Sequence, residues 1–319
     1  MNATVALEDF SQLHEPHWVL REAFQLLVFA VVAAEVALGV AVQRGWIWLA
    51  IPLVLVTSHL MHGTLIGLHE AAHGLLRKNR RFNEFDGVVI GTLSLMSFSL
   101  YRVVHQTHHA HLTRERDYEF WPLSRTTIPR GTRRLAAFLE LNFGLLFTPF
   151  VFLRAFLCSP SPVRSQRVRR RIWMELVLTA FTWICILLAV AVFDLWKYFI
   201  WMYLAPAFIA ANLQSWRKYI EHVGLSGTTV NGATRSIVAK SWLGKIVAFT
   251  LLHEPFHGVH HQRAGLRHSV LPQCTSCLEP ANPNEHTPYL SYRHALLDLI
   301  RSLADPRVGP QWQAVASVR

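Results

Sequence analysis

The stretch His105-Gln106-Thr107-His108-His109-Ala110-His111 puts four imidazoles into seven residues. On a helix, positions i, i+3 and i+4 share a face, so His105, His108 and His109 are expected to point the same way as one metal-binding surface. The run before it, residues 87–104, is apolar and about long enough to cross a bilayer. Whether it crosses decides the fold.

Two further boxes answer that question. His257-Gly258-Val259-His260-His261 repeats the H-x-x-H-H pattern, and His69-Glu70-Ala71-Ala72-His73 sets two imidazoles one helical turn apart. Eight such groups are too many for one tetrahedral zinc ion, and imidazole suits iron and copper as well, so two metals are implied. If residues 87–104 crossed, the second box would stand about 30 Å from the first, across the membrane. The two could then share no site. The run is therefore expected to be re-entrant or interfacial, and so is 135–156, whose Glu140, Asn142, Pro149 and Arg154 suit an interface better than lipid.

Of 319 residues, 52% are hydrophobic and 16% charged, against roughly 25% charged in soluble domains. No linker, repeat or change of composition divides the chain, so one all-α, membrane-embedded domain over residues 1–319 is expected. Runs 24–42, interrupted only by Glu35, and 46–68 make a hairpin turning at Gln43-Arg44-Gly45, the second running straight into His69 and His73. Runs 172–193 and 198–213 make another around Asp194-Leu195-Trp196-Lys197, while 246–252 is too short to span. Residues after about 282 read as a loop and one amphipathic helix, 292–303.

The net charge of +11 comes mainly from Arg, 26 against 5 Lys. Clusters at 77–81, 164–171 and 217–218 fall on one side of these four crossings, the side that the positive-inside rule assigns to the cytoplasm. Set between membrane segments, they read as topology and not as a nucleic-acid patch. The first twenty residues carry Glu8, Asp9 and Glu15 without a basic segment followed by an apolar one, so no cleaved signal is expected and the N-terminus is placed inside. The cysteines suggest no disulfide framework. Cys274 and Cys277, with His268 and His286 nearby, read as two loop thiols before they read as a zinc site.

Three boxes in this order, with these apolar spacers, resemble the membrane fatty acid desaturase superfamily over about residues 49–268; hydroxylases and ketolases belong to it too. The resemblance implies two iron ions and O₂ as cofactors and oxygen-dependent desaturation of an aliphatic chain, fatty acyl or lipid. Hydroxylation or another oxygenation, of an alkane, lipid or carotenoid, is the alternative. His222, in Tyr219-Ile220-Glu221-His222, resembles the isolated histidine between boxes two and three. Counting it, the implied ligands are His69, His73, His105, His108, His109, His222, His257, His260 and His261. Ligation by histidine alone differs from the glutamate-bridged soluble di-iron bundles.

Ligating imidazoles usually donate their other N–H to a carboxylate or carbonyl. Glu70, Asp117, Glu221 and Glu254 stand beside the boxes as candidates for that task, with His111 and His253 as supporting or structural groups. In parts of the superfamily an asparagine four residues before the isolated histidine helps hold the second iron. Here that position is Lys218, a poor ligand, so water, His253 or His111 is expected in its place. No electron-carrier module is recognisable, which implies an external donor of ferredoxin, rubredoxin or cytochrome b5 type. An integral protein of a bacterial inner membrane, with its site facing the cytoplasm, is the expected location.

Two other readings explain less. His69-Glu70-Ala71-Ala72-His73 also matches the H-E-x-x-H of zinc metalloproteases, with Asp86 forced into the role of third ligand, but leaves the six other box histidines and His222 unexplained. A histidine-rich metal transporter, or a haem-binding membrane protein, needs histidines inside crossing helices, whereas these boxes lie beyond helix ends. His59 and His62, deeper on the His69 face, are expected either to hydrogen-bond within the bundle or to line a channel.

Overall fold

A computed structural model describes residues 13–283 and 285–316; Glu8 and Asp9 lie outside them. Helices α1 (Ala23–Arg44) and α2 (Ile47–His73) form the expected hairpin, closed at Gly45 with φ of 71°. Their outer faces stay bare: Phe29 is 72% exposed and Trp48 74%. Apolar surface this continuous marks a face turned to hydrocarbon.

The run 87–104 does not form one straight span. It breaks into α3 (Arg80–Leu93) and α4 (Phe98–Ala110), which meet at 100°. The physical reason is on one face of α3, where a Cβ on Gly87 would stand 2.4 Å from the Phe98 ring. With no side chain there, α4 folds back against α3. Leu95 takes a φ of 58° in the turn, and the Ser97 hydroxyl accepts the Leu100 N–H to start the new helix. The second box therefore returns to the end of the bundle where α2 delivers the first.

The run 135–156 is likewise two helices, α5 (Arg130–Asn142) and α6 (Gly144–Leu157), the latter apolar but short. Helix α7 (Gln166–Val192) is long and apolar enough to cross. The expected fourth crossing, 198–213, has a different form. A π-helical turn, Phe199–Leu204, leads into α8 (Ala205–His222), whose last two turns carry Arg217, Lys218, Glu221 and His222. By length and composition three helices among the described residues can cross, α1, α2 and α7, and up to four if the bent α3–α4 pair counts as one span. Helix α8 packs along α2.

Short elements cap the histidine end: α9 (Trp242–Thr250), α10 (His257–Gln262) and α11 (Tyr292–Ser302), the last being the amphipathic helix expected at 292–303. The C-terminal segment ties the cap down, Gln311 Nε2 donating to the carbonyls of Thr113 at 3.1 Å and Ser124 at 2.8 Å. Strand-like pairing among the described residues is confined to one bridge, Ile237 with Tyr289. The architecture is an all-helical membrane bundle.

Candidate metal centre

Four elements end at one place. The last turn of α2 carries His69 and His73, α4 carries His105, His108 and His109, the last turn of α8 carries His222, and α10 carries His257, His260 and His261. Their nine Nε2 atoms gather into two groups. In the first, His69 meets His260 at 2.9 Å, His73 meets His105 at 3.0 Å, and His109 meets both His105 and His260 at 3.1 Å. In the second, His222 meets His257 at 2.7 Å, His257 meets His261 at 3.0 Å, and His108 meets His261 at 3.3 Å.

Each H-x-x-H-H box is thus divided between the groups, which corrects the expectation of one shared face. Residues on a helix advance about 100° per position, so His108 and His109 diverge while His105 and His109, a turn apart, converge. His105 and His109 go to the first group and His108 to the second; on α10, His257 and His261 go to the second and His260 to the first. The groups touch where His109 stacks on His261, ring centroids 4.3 Å apart.

The donor set fits a pair of metal cations. His257 Nδ1 donates to Glu254 at 2.9 Å and His222 Nδ1 to the Ala233 carbonyl at 3.1 Å. With the ring protons directed outward, both Nε2 atoms present bare lone pairs at 2.7 Å, an arrangement that repels itself unless a cation lies between. In the same way His108 Nδ1 faces Asp117 at 2.7 Å and His105 Nδ1 faces Glu119 at 3.1 Å. Burial, and then repulsion by neighbouring imidazoles, keep His109 and His261 far below the ordinary histidine range, in the neutral form a metal needs. Burial acts on His108 too, but the Asp117 carboxylate outweighs it and raises that ring.

Of the carboxylates singled out in the sequence, Asp117 and Glu254 bond box imidazoles directly. Glu221 stands 3.6 Å from His257 Nδ1 and bonds Arg217 instead. Arg217 also binds Glu254 at 3.0 Å, joining α8 to the segment before α10. Burial would raise Glu254; the Arg217 guanidinium outweighs it and holds the carboxyl well below the usual carboxylate range. Glu70 supports no imidazole Nδ1: its Oε2 accepts the His268 N–H at 3.4 Å. Glu119 and the Ala233 carbonyl were not singled out, and Arg217 was read only as a topology-setting charge. Glu119 lies two residues past Asp117 in the same loop, the one signal that pointed to it.

His253 stands away from both groups, stacked on His268 with centroids 6.1 Å apart, and His111 caps α4 half-buried. Neither takes the place expected of an extra imidazole. Lys218 is paired with Glu140. His59 bonds Thr250 Oγ1 at 2.7 Å, and His62 is buried in the bundle. Asp86 pairs with Arg77 and does not approach His69 or His73, so the protease triad does not form. Cys277 donates its thiol to the Cys274 carbonyl, and neither cysteine joins a potential metal group among the described residues.

One end of a cavity of about 420 Å³ lies against this centre. Tyr101, which stacks on His105 with centroids 5.4 Å apart, and Glu119 line that end; Val28, Leu65 and Phe152 line its apolar body. The family described as Fatty acid desaturase matches residues 46–293. No curated protein sequence matches the chain.

Proposed function

The chain belongs to the fatty acid desaturase family, and on that premise we propose that it is a di-iron enzyme that desaturates an aliphatic chain, fatty acyl or other lipid. Family membership supports an oxidoreductase of the desaturase and hydroxylase type, and the histidine groups fit a metal site. His69, His73, His105, His109 and His260 would hold one iron; His108, His222, His257 and His261 would hold the other. Bound there, the irons supply the O₂ activation that breaking an unactivated C–H bond requires.

The observation that carries the substrate reading is the cavity. Its apolar walls bury an alkyl chain within the bundle, and its end at Tyr101 and Glu119 presents that chain to the His105 group. Water is kept from the reacting carbons by the same walls. Asp117, Glu119 and Glu254 orient the imidazoles through their Nδ1 protons. Over the whole reaction, two hydrogens leave adjacent carbons and O₂ becomes two waters. Two electrons and two protons come from outside, the electrons from a separate ferredoxin, rubredoxin or cytochrome b5 type donor.

The Arg-rich segment 77–81 directly follows His73, which supports a site on the cytoplasmic face of a bacterial inner membrane. The whole chain reads as a single domain. Turnover of the reconstituted protein with a reduced donor under ¹⁸O₂ tests the reaction: an unlabelled alkene is expected, a labelled alcohol would make the enzyme a hydroxylase, and turnover without oxygen would refute both.

A further inference from the structure

Glu35 is the one acidic or basic residue inside α1 before its terminal Arg44, and its side chain lines the cavity described above. Helix α1 presents Phe24, Val28, Val31 and Glu35 to that space, a spacing that keeps one helix face against the cavity along its length. Phe24 marks the end near the histidines, since a Cβ on Gly67, two residues before His69, would stand 2.5 Å from its ring. Gly39, one turn past Glu35, faces Met202 instead, its Cβ position 3.1 Å from the methyl carbon. Glu35 therefore lies at the deep end, level with Tyr203. Helix rise puts it about 16 Å beyond Phe24. An extended chain advances about 1.3 Å per carbon, given C–C bonds of about 1.5 Å, so about a dozen carbons fill that length.

The other acidic and basic side chains lining the cavity have partners: Glu119 bonds His105, and Lys218 is paired with Glu140. Among the described residues no hydrogen bond or ion pair reaches the Glu35 carboxyl. Glu35 is partly buried, and a carboxyl without a partner midway along a membrane helix is costly, since ionisable groups there face a cavity and a partner. Here the cavity is present, and the matching group has to come with what fills it. A plain alkyl end would leave the carboxyl unmatched, while a cation would carry a full charge into an apolar-walled space, at far greater cost than a neutral donor.

We propose that the cavity takes an aliphatic chain bearing a neutral hydrogen-bond donor, a hydroxyl, about a dozen carbons from the end held at the histidines, and that Glu35 receives this hydroxyl. The inference rests on the cavity being the substrate site and adds a substrate class to it: hydroxylated chains are bound in preference to plain ones. It also makes Glu35 the residue that sets the preference.

The test is binding, read apart from turnover. Affinities of the purified full chain for methyl tetradecanoate and for its ω-hydroxy counterpart are compared in wild type, Glu35→Leu and Glu35→Gln. Wild type should bind the hydroxy ester about tenfold tighter, the size of one net hydrogen bond. Glu35→Leu should lose that preference while still binding the plain ester, and Glu35→Gln, which still offers an acceptor, should keep most of it. Equal affinities in wild type, or a preference that survives in Glu35→Leu, would overturn the inference and leave the cavity as the substrate site. Saturable binding of neither ester would overturn both.

Discussion

The carboxylate of Glu175, on α7, accepts both the backbone N–H of Ser99 at 2.8 Å and its hydroxyl at 2.6 Å. It also accepts the Ser97 hydroxyl at 2.7 Å. A negative charge at the first turn of α4 complements the helix dipole, so a long membrane helix fixes the start of the helix that carries the second box. Glu175→Ala leaves three buried donors without their acceptor. It should cost about 3 kcal/mol, and the thermal midpoint and the metal content should fall together. An unchanged midpoint would show that α4 is held by packing alone.

Metal stoichiometry by elemental analysis should be about two per chain. His222→Ala removes one donor from the group of four and should bring the ratio close to one, because the other group keeps all five imidazoles. Lys218→Ala, which touches Glu140 and no imidazole, should leave the ratio at two. A fully loaded His222→Ala protein would remove His222 from the ligand set.

Asp117→Asn keeps the shape of the loop but removes the negative charge and one of the two acceptor oxygens that His108 Nδ1 shares with the Thr113 and Glu119 N–H groups, which loosens the hold on the His108 tautomer. Metal affinity of the second group, measured by chelator competition, should fall about 10- to 100-fold, with the first group little changed. Equal loss from both groups would point to collapse of the loop around Thr113, whose N–H bonds the same carboxylate at 3.0 Å.

Topology is open to thiol labelling. Lys197 and Lys78 lie at opposite ends of membrane-length segments, so cysteines placed at each should react with an impermeant reagent from opposite sides of the membrane. Lys78→Cys should be reached from the cytoplasm. Labelling of both from one side would break the crossing scheme.

Burial pushes His268 down to about 3 and His253 down to about 4. Their folded pKa values lie below the unfolded value near 6.5, so between these limits the unfolded chain binds more protons. Their contribution to stability is complete above pH of about 6.5 and is lost as the pH falls towards 4 and then 3. His268→Gln should therefore flatten the fall of the thermal midpoint between pH 7 and 4 relative to wild type. Parallel curves would show that these two rings do not govern acid lability.

Much of the architecture was legible along the chain. The apolar runs and the turn at Gly45 placed α1 and the start of α2 within a residue or two, and the need for His73 and His105 to share a site foretold that residues 87–104 turn back. Periodicity did not show how. The bend depends on Gly87 admitting the Phe98 ring, a contact between residues on two different helices. The split of 135–156 at Phe143 and the π-helical turn before α8 were equally hidden, since length and hydropathy are blind to a local change in hydrogen-bond register.

The site divides along the same line. Residue type and spacing along a helix are local properties, so the sequence alone pointed to eight box histidines at one end of an apolar bundle and implied two metals, while His222 joined them only through the family resemblance. Which imidazole joins which group is not local. It follows from the rotation of α4 and α10 about their axes once Glu175, Asp117 and the Arg217–Glu254 pair have set them against α2 and α8. The partners of the imidazoles were decided by the same packing: Glu119 and the Ala233 carbonyl reach their rings only across loop and helix, while Glu70, adjacent to His69 in the chain, turns away. Neighbours in sequence share a backbone, but a hydrogen bond or a coordination sphere requires neighbours in space, and only the folded chain supplies those.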